Sequence, residues 1–208
     1  MKKTIMLLTA SLGLAAAPGA WAAVIFDTTV SATSGSAYTC DGSEIAESFR
    51  TGSTGSQLSE VMLRMAGGTY PGNDGFLVRL YDSAGVGGNP GTSLLTLSGS
   101  ANPFTAGNYT YTGSYALAAN TDYWIVLAVF GEGYYNSLTV TSGPTVGTSP
   151  HGHGEYYDNS WLTYPTSNLS MQISGLSAVP EPSEWAAISF GVLGIVWVAK
   201  RRFMPARA

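Results

Sequence analysis

Tyr123-Trp124-Ile125-Val126-Leu127-Ala128-Val129-Phe130 is the most apolar stretch between the two ends of the chain. Its β-branched and aromatic side chains, and its short length between turn signals, read as a strand rather than a helix. No polar residue interrupts it, so it reads as a central strand covered on both faces.

Outward from this run the pattern stays short and alternating. Phe76, Val78 and Leu80 take one face against Leu77, Arg79 and Tyr81, and within Gln57–Met65 the residues Val61, Leu63 and Met65 oppose Met62 and Arg64. Val24–Val30, Glu44–Arg50, Ser93–Leu97 and Asn108–Thr112 are further strand segments. Tyr134–Thr141, Glu155–Tyr157, Trp161–Tyr164 and Leu169–Ser174 complete the set. The Ser/Gly-rich stretch through Gly42 reads as a loop, as does the connector from Gly67-Gly68 to Pro71-Gly72-Asn73-Asp74-Gly75. Roughly nine to eleven short strands at close spacing, with no sustained helical period, predict an all-β fold. The expected architecture is a jelly-roll-like antiparallel β-sandwich.

The two ends follow other rules. Residues 1–22 read as a secretory signal peptide. Lys2 and Lys3 form the charged start, Ile5–Ala17 the apolar stretch, and Pro18-Gly19 breaks the helix before Ala20-Trp21-Ala22. Small residues at Ala20 and Ala22 fit signal-peptidase cleavage, leaving Ala23 as the new N-terminus. No cysteine lies near that point, which argues against a lipoprotein. At the other end, Pro180-Glu181-Pro182 cannot continue a helix or a central strand, because each proline fixes φ and lacks an N–H. An uncharged apolar run, Trp185–Ala199, then precedes Lys200-Arg201-Arg202. As a helix rising about 1.5 Å per residue it spans roughly 22 Å, a short membrane anchor. Interfacial Trp185 and Trp197 and snorkelling basic side chains extend it, and the basic cluster stays cytoplasmic. A body of 23–178 and a tail of 179–208 follow.

Charge is unevenly divided. Of nine Lys and Arg, only Arg50, Arg64 and Arg79 belong to the body, against eleven of the thirteen acids, which gives the body a net charge of −8. Nucleic acid and anionic lipid need a cationic surface, so neither is an expected partner of the body. Cys40 is the single cysteine and has no intramolecular disulfide partner. It reads either as a small buried hydrophobe or as a point of dimerisation.

Motifs for catalysis are missing: there is no G-x-S-x-G elbow, no Walker loop, no HExxH and no CxxC pair. A glycoside hydrolase needs only two carboxylates, and no spacing here pairs them. His151-Gly152-His153-Gly154-Glu155 with Asp158 is the one cluster with metal-ligand chemistry, set against the reading of a solvated polar loop. Asn73-Asp74 and Asp82 offer oxygens suited to calcium without a diagnostic spacing. Among the late aromatics, Tyr156, Tyr157 and Trp161 are candidate stacking faces for a neutral glycan. Strand alternation sends about half of such residues to a core or to cross-strand pairs.

Two resemblances attach to these residues. Pro180-Glu181-Pro182, the apolar run 185–199 and Lys200-Arg201-Arg202 at the end of an exported chain resemble the PEP-CTERM sorting signal. It differs in Glu184 directly before the run and in the extension Phe203–Ala208. The resemblance implies a Gram-negative, exopolysaccharide-producing host and an exosortase that recognises Pro180, Glu181 and Pro182. It also implies a transient inner-membrane helix at 185–199, a stop at Lys200, Arg201 and Arg202, and release to the cell surface or extracellular matrix. Within the body, Gly75–Asp82, Asn89–Leu95 and Leu117–Leu127 together resemble the choice-of-anchor R domain of exported proteins, which implies a β-sandwich and no enzymatic activity. The expected function is therefore a non-catalytic surface or matrix protein without a cofactor that binds exopolysaccharide. The alternatives are a self-associating coat protein and a glycoside hydrolase.

Overall fold

The computed structural model describes residues 22–40, 42–69, 75–99, 102–131 and 133–177. The expected signal peptide through Trp21, with Ala20, and the tail with Pro180–Pro182, the run 185–199 and Lys200–Arg202, lie outside the described residues. So do Asn73 and Asp74.

The described chain is all-β and antiparallel. Its strands are β1 (Ala22–Asp27), β2 (Thr33–Cys40), β3 (Glu44–Arg50), β4 (Ser56–Thr69), β5 (Gly75–Asp82), β6 (Ser93–Gly99) and β7 (Gly107–Leu117). After these come β8 (Asp122–Phe130), β9 (Tyr134–Val140), β10 (His153–Tyr157), β11 (Ser160–Tyr164), β12 (Asn168–Leu169) and β13 (Met171–Ser177). Pairing runs β1-β13-β4-β7-β6-β5-β8-β3-β10-β11, with β9 joining β4 to β2 and β12.

This single path curls so that its two halves face one another. Phe26, Val61, Leu63 and Ile173 from one half share a core with Ile45, Phe49, Leu80, Ile125 and Leu127 from the other. The corner is β6, which pairs β5 through Val78↔Leu97 and then β7 through Ser98↔Thr112 and Gly99↔Tyr111. Glycine is required at the corner because the Tyr111 ring lies where a Cβ on Gly99 would sit.

The apolar run behaves as its composition predicts. Every residue from Tyr123 to Val129 is buried in β8, between β3 and β5. Tyr123, Ile125, Leu127 and Val129 enter the main core, while Trp124 and Val126 join Ala46 in a second cluster on the outer face. Alternation also holds in β4 and β5, where Val61, Leu63, Met65, Phe76, Val78 and Leu80 are the buried set.

Two loop expectations give way. Thr33–Cys40 is not a loop but β2, a strand of small residues that pairs with β9 and buries only Ala37 and Thr39. Gly67 and Gly68 belong to β4 rather than to a turn. A Cβ on Gly68 would come within 2.7 Å of the Tyr134 carbonyl oxygen and 2.9 Å of the Tyr135 ring, so the glycine permits β9 to approach.

The segment after β9 closes one end of the curl. Thr145 N–H donates to the Asp27 carbonyl (2.8 Å), Asp27 N–H to Val146 (3.1 Å), and Arg50 N–H to Thr148 (3.0 Å). Gly147 makes this crossing with φ of 77°, and a Cβ there would meet the Ile25 carbonyl oxygen at 2.5 Å.

Candidate functional site

The glycan candidates and the metal candidates His153, Glu155 and Asp158 fall on one hairpin, β10–β11, which forms an end of the strand path, with His151 just before it. Its two-residue turn, Asp158-Asn159, has φ of 51° and 61°. Positive φ at both positions is the type I′ geometry that matches strand twist, and Asp and Asn are among the residues that accept it. Asp158, a candidate metal ligand, therefore has a structural role at the tip.

Register then divides the aromatic candidates. Tyr156 lies opposite Trp161 on the outer face, ring centroids 5.3 Å apart, and Tyr157 lies opposite Ser160 on the other face. Tyr156, Tyr157 and Trp161 thus do not make one platform. Trp161 continues to Trp124 (6.4 Å), and Trp124 stacks on His151 (5.6 Å, 14° between planes). Trp124 is fully buried and donates its indole N–H to the Gly88 carbonyl at 2.8 Å. Gly154 lets this row lie across the backbone, since a Cβ there would sit 3.2 Å from the Trp161 ring. The outer row is a closed aromatic cluster whose rim, Tyr156 and Trp161, stays partly exposed.

The sheet also separates the two histidines. His151 is on the outer face with Trp124, its Nε2 3.9 Å from Asp122, whose carboxylate also holds the Arg50 guanidinium. His153 is buried on the inner face, stacked on Tyr164 at 4.6 Å. Its Nδ1 lies 3.2 Å from the Ser167 carbonyl, which can only accept, so the Nδ1 proton is placed there. Nε2 faces Glu155 Oε1 at 3.5 Å, and the Tyr164 hydroxyl donates to Glu155 Oε2 at 3.3 Å. Desolvation first, then Glu155, raises the Tyr164 phenol above its ordinary range. Among the described residues no three His, Cys, Asp or Glu side chains are grouped so that they could hold a metal ion. Asp82, the described calcium candidate, ties its own loop through hydrogen bonds from Ala84 (3.1 Å) and Thr92 (2.8 Å).

A residue that sequence reading passed over is Glu47. It sits opposite His153 in the β3–β10 ladder and is completely buried. Leu169 N–H donates to Oε2 at 2.7 Å and the Ser149 hydroxyl meets Oε1 at 2.7 Å. Ser149 in turn lies 2.9 Å from Ser48 Oγ, which takes the His151 N–H (3.0 Å) and reaches the Gly152 carbonyl (3.0 Å). Burial pushes the Glu47 carboxyl up to about 8, against these hydrogen bonds. The neutral acid fits the chain as well, donating from Oε1 to Ser149. Glu155 shares this face two residues along β10, but the buried Glu47 has both oxygens engaged within the protein. The network locks the segment before β10 against β3 and β12.

A described cleft of about 470 Å³ lies at the end closed by Thr145–Thr148 rather than at the hairpin. Its walls are short and mostly neutral: Val24, Ile25, Arg50, Thr51, Thr148 and Gly175. A smaller apolar hollow of about 320 Å³ lies over β2 and β9, between Tyr38, Cys40, Tyr134 and Asn136.

No protein-family model matches this chain, and no curated protein matches it significantly.

Proposed function

We propose that this chain is a non-catalytic exported protein of a Gram-negative bacterium, held at the inner membrane by 185–199. An exosortase processes it at Pro180-Glu181-Pro182 and releases it to the cell surface or matrix. The observation that carries this reading is the tail itself, a proline-framed acid, an uncharged run and a basic stop in that order. The body supports it in one respect. β1 begins at Ala22 and β13 ends at Ser177, and Ala22 pairs with Leu176, so both targeting segments join the fold at one place. Signal cleavage between Ala22 and Ala23 leaves β1 almost intact. The finer architecture we attach to this reading is the jelly-roll-like sandwich, with the choice-of-anchor R resemblance over β5 to β8.

The test is to express the chain in an exopolysaccharide-producing host with and without its exosortase, and to measure the mass and location of the product. A shorter surface product that reverts to a longer membrane-bound form without the exosortase supports the reading. Identical products in both hosts would overturn it.

For the body, exopolysaccharide binding is the role proposed, at the exposed rim of Tyr156 and Trp161. Tyr156→Ala should reduce retention on the host polymer, and Tyr157→Ala, on the opposite face, should not. A self-associating coat is the second reading, and the sheet edge described next favours it.

A further inference from the structure

The two ends of the strand path are finished differently. The outer edge of β1 is held at its last residue, where Asp27 exchanges backbone hydrogen bonds with Thr145 and Val146. The outer edge of β11 is bare: among the described residues no strand or loop pairs with it. Natural edge strands are blunted by lysine, proline, a bulge or a covering loop. β11 reads Ser160-Trp161-Leu162-Thr163-Tyr164, without charge or proline, and its register with β10 is unbroken. Leu162 is 59% exposed, and Tyr157, on the same face of the hairpin, is 76% exposed. β2 also has a free side, but its ladder is broken between Thr33 and Gly35 and its first four residues carry only small side chains.

We propose that β11 pairs antiparallel with β11 of a second copy, about a twofold axis through Leu162. In a hairpin with a two-residue turn, the pairs Tyr157–Ser160 and Glu155–Leu162 bond each other. Trp161 and Thr163 are then the residues whose N–H and C=O point outward. A twofold at Leu162 sets Trp161 against the partner's Thr163 and Thr163 against the partner's Trp161, which satisfies those groups. Leu162 meets its own copy in the closer, non-bonded position, and Ser160 meets the partner's Tyr164. No charge faces a like charge within this ladder, although the body is acidic as a whole. The self-complementarity commits the site to a second copy rather than to an unrelated strand. Ala22 of β1 and Ser177 of β13 lie at the other end of the strand order, so pairing at β11 does not involve the strands that carry them. A five-residue edge is small beside the roughly 800 Å² per partner of a stable complex, so the pair is weak alone and gains where copies are concentrated.

The experiment uses the full chain in mild detergent with Cys40→Ser, carrying Leu162→Cys, Ser160→Cys or Ser36→Cys. Each is oxidised with copper phenanthroline and read on a non-reducing gel. Directly opposite non-bonded positions approach disulfide distance, whereas two copies of position 160 stand four residues apart in this register, about 13 Å. All three positions are exposed, so none of the substitutions opens the core. The expected result is a covalent dimer from Leu162→Cys and its loss in the other two. Equal dimer from Ser160→Cys would mean random collision and overturn the proposal. Dimer from Ser36→Cys alone would move the interface to β2, and no dimer from any variant would remove it. None of these readouts involves the sorting tail, so this inference and the sorting reading stand or fall separately.

Discussion

The β1 end and the β11 end of the sheet are built from similar strands and finished by opposite means. At β1 the closure is polar and internal. Asp27 holds the crossing loop by its backbone, and its carboxylate accepts from Thr29 and Gln172. Thr28 is fully buried between Leu169 and Met171. At β11 the outer face is closed by aromatic packing under Trp161, while the edge and Leu162 face solvent. One end is held by a loop of its own chain at Asp27. The other has its hydrogen-bonding edge unspent, which is the physical difference between a surface that only carries termini and one that can receive a neighbour.

The largest effect that would test this contrast is in the core. Phe26 on β1 is fully buried and packs near Phe49, with ring centroids 6.4 Å apart. Phe26→Ala should remove about 3–5 kcal/mol. Trp161→Ala, at a partly exposed position, should cost clearly less, because part of the ring is already in water. Urea midpoints of the two variants make the comparison, and equal losses would show that β11 is as closed as β1.

Next in size is the pH dependence set by Glu47, on the strand that receives the β11 hairpin. Its carboxyl titrates near 8 when folded, against an ordinary 4.5. Between those values the folded state holds the proton that the unfolded state has lost, so stability falls as pH rises from about 4.5 to about 8. Glu44, raised by burial against the pull of Arg79, tilts the same way. Asp27 runs opposite: desolvation pushes its carboxyl up, but hydrogen bonds from Thr29 and Gln172 outweigh it, so its contribution is lost at acid pH. Glu47→Gln keeps a carbonyl for Leu169 N–H and an amide for Ser149. It should flatten the slope by an amount on the order of a few kcal/mol across the window. Thermal melts at pH 5, 7 and 9 read it, and an unchanged slope would place the titration elsewhere.

Thr28→Val is a smaller perturbation of the closed end. It keeps the shape but leaves the Met171 N–H and the Leu169 carbonyl without the hydroxyl that lies 2.8 and 2.7 Å from them. A loss of about 1–3 kcal/mol is expected, with Thr28→Ser restoring most of it. A neutral Thr28→Val would mean that the polar closure contributes little.

What could be read beforehand divides along the same line. Strands announced by alternating apolar side chains, such as those around Val61 and Val78, were legible because burial on one face leaves a period of two. β2 was not, since Thr33–Cys40 buries only Ala37 and Thr39 and owes its strand geometry to pairing with β9. Gly67 and Gly68 carry the signature of a turn, yet they serve the close approach of Tyr134 and Tyr135, a tertiary fact with no local mark. His151 and His153 look like a ligand pair two residues apart, and the sheet passes between them. Tyr156 and Tyr157 are neighbours in sequence and face opposite ways. Glu47 has nothing around it in sequence to distinguish it from an exposed acid, because its burial is made by residues a hundred positions away.

The smallest expected effect on folding belongs to the open end, and it bears most directly on the contrast. Leu162 is 59% exposed and belongs to neither core cluster, so Leu162→Lys should change the stability of the single chain by no more than about 0.5 kcal/mol. A lysine at the twofold position would nonetheless set two ammonium groups opposite each other, as natural edge strands do to repel neighbours. Sedimentation of the full chain in detergent should therefore lose its concentration dependence in Leu162→Lys while the melting curve stays in place. Raising the ionic strength should strengthen pairing of the unsubstituted chain by screening the acidic bodies. If Leu162→Lys instead destabilised the fold as much as Thr28→Val, the outer side of β11 would already be covered within the chain. The two ends would then be closed alike.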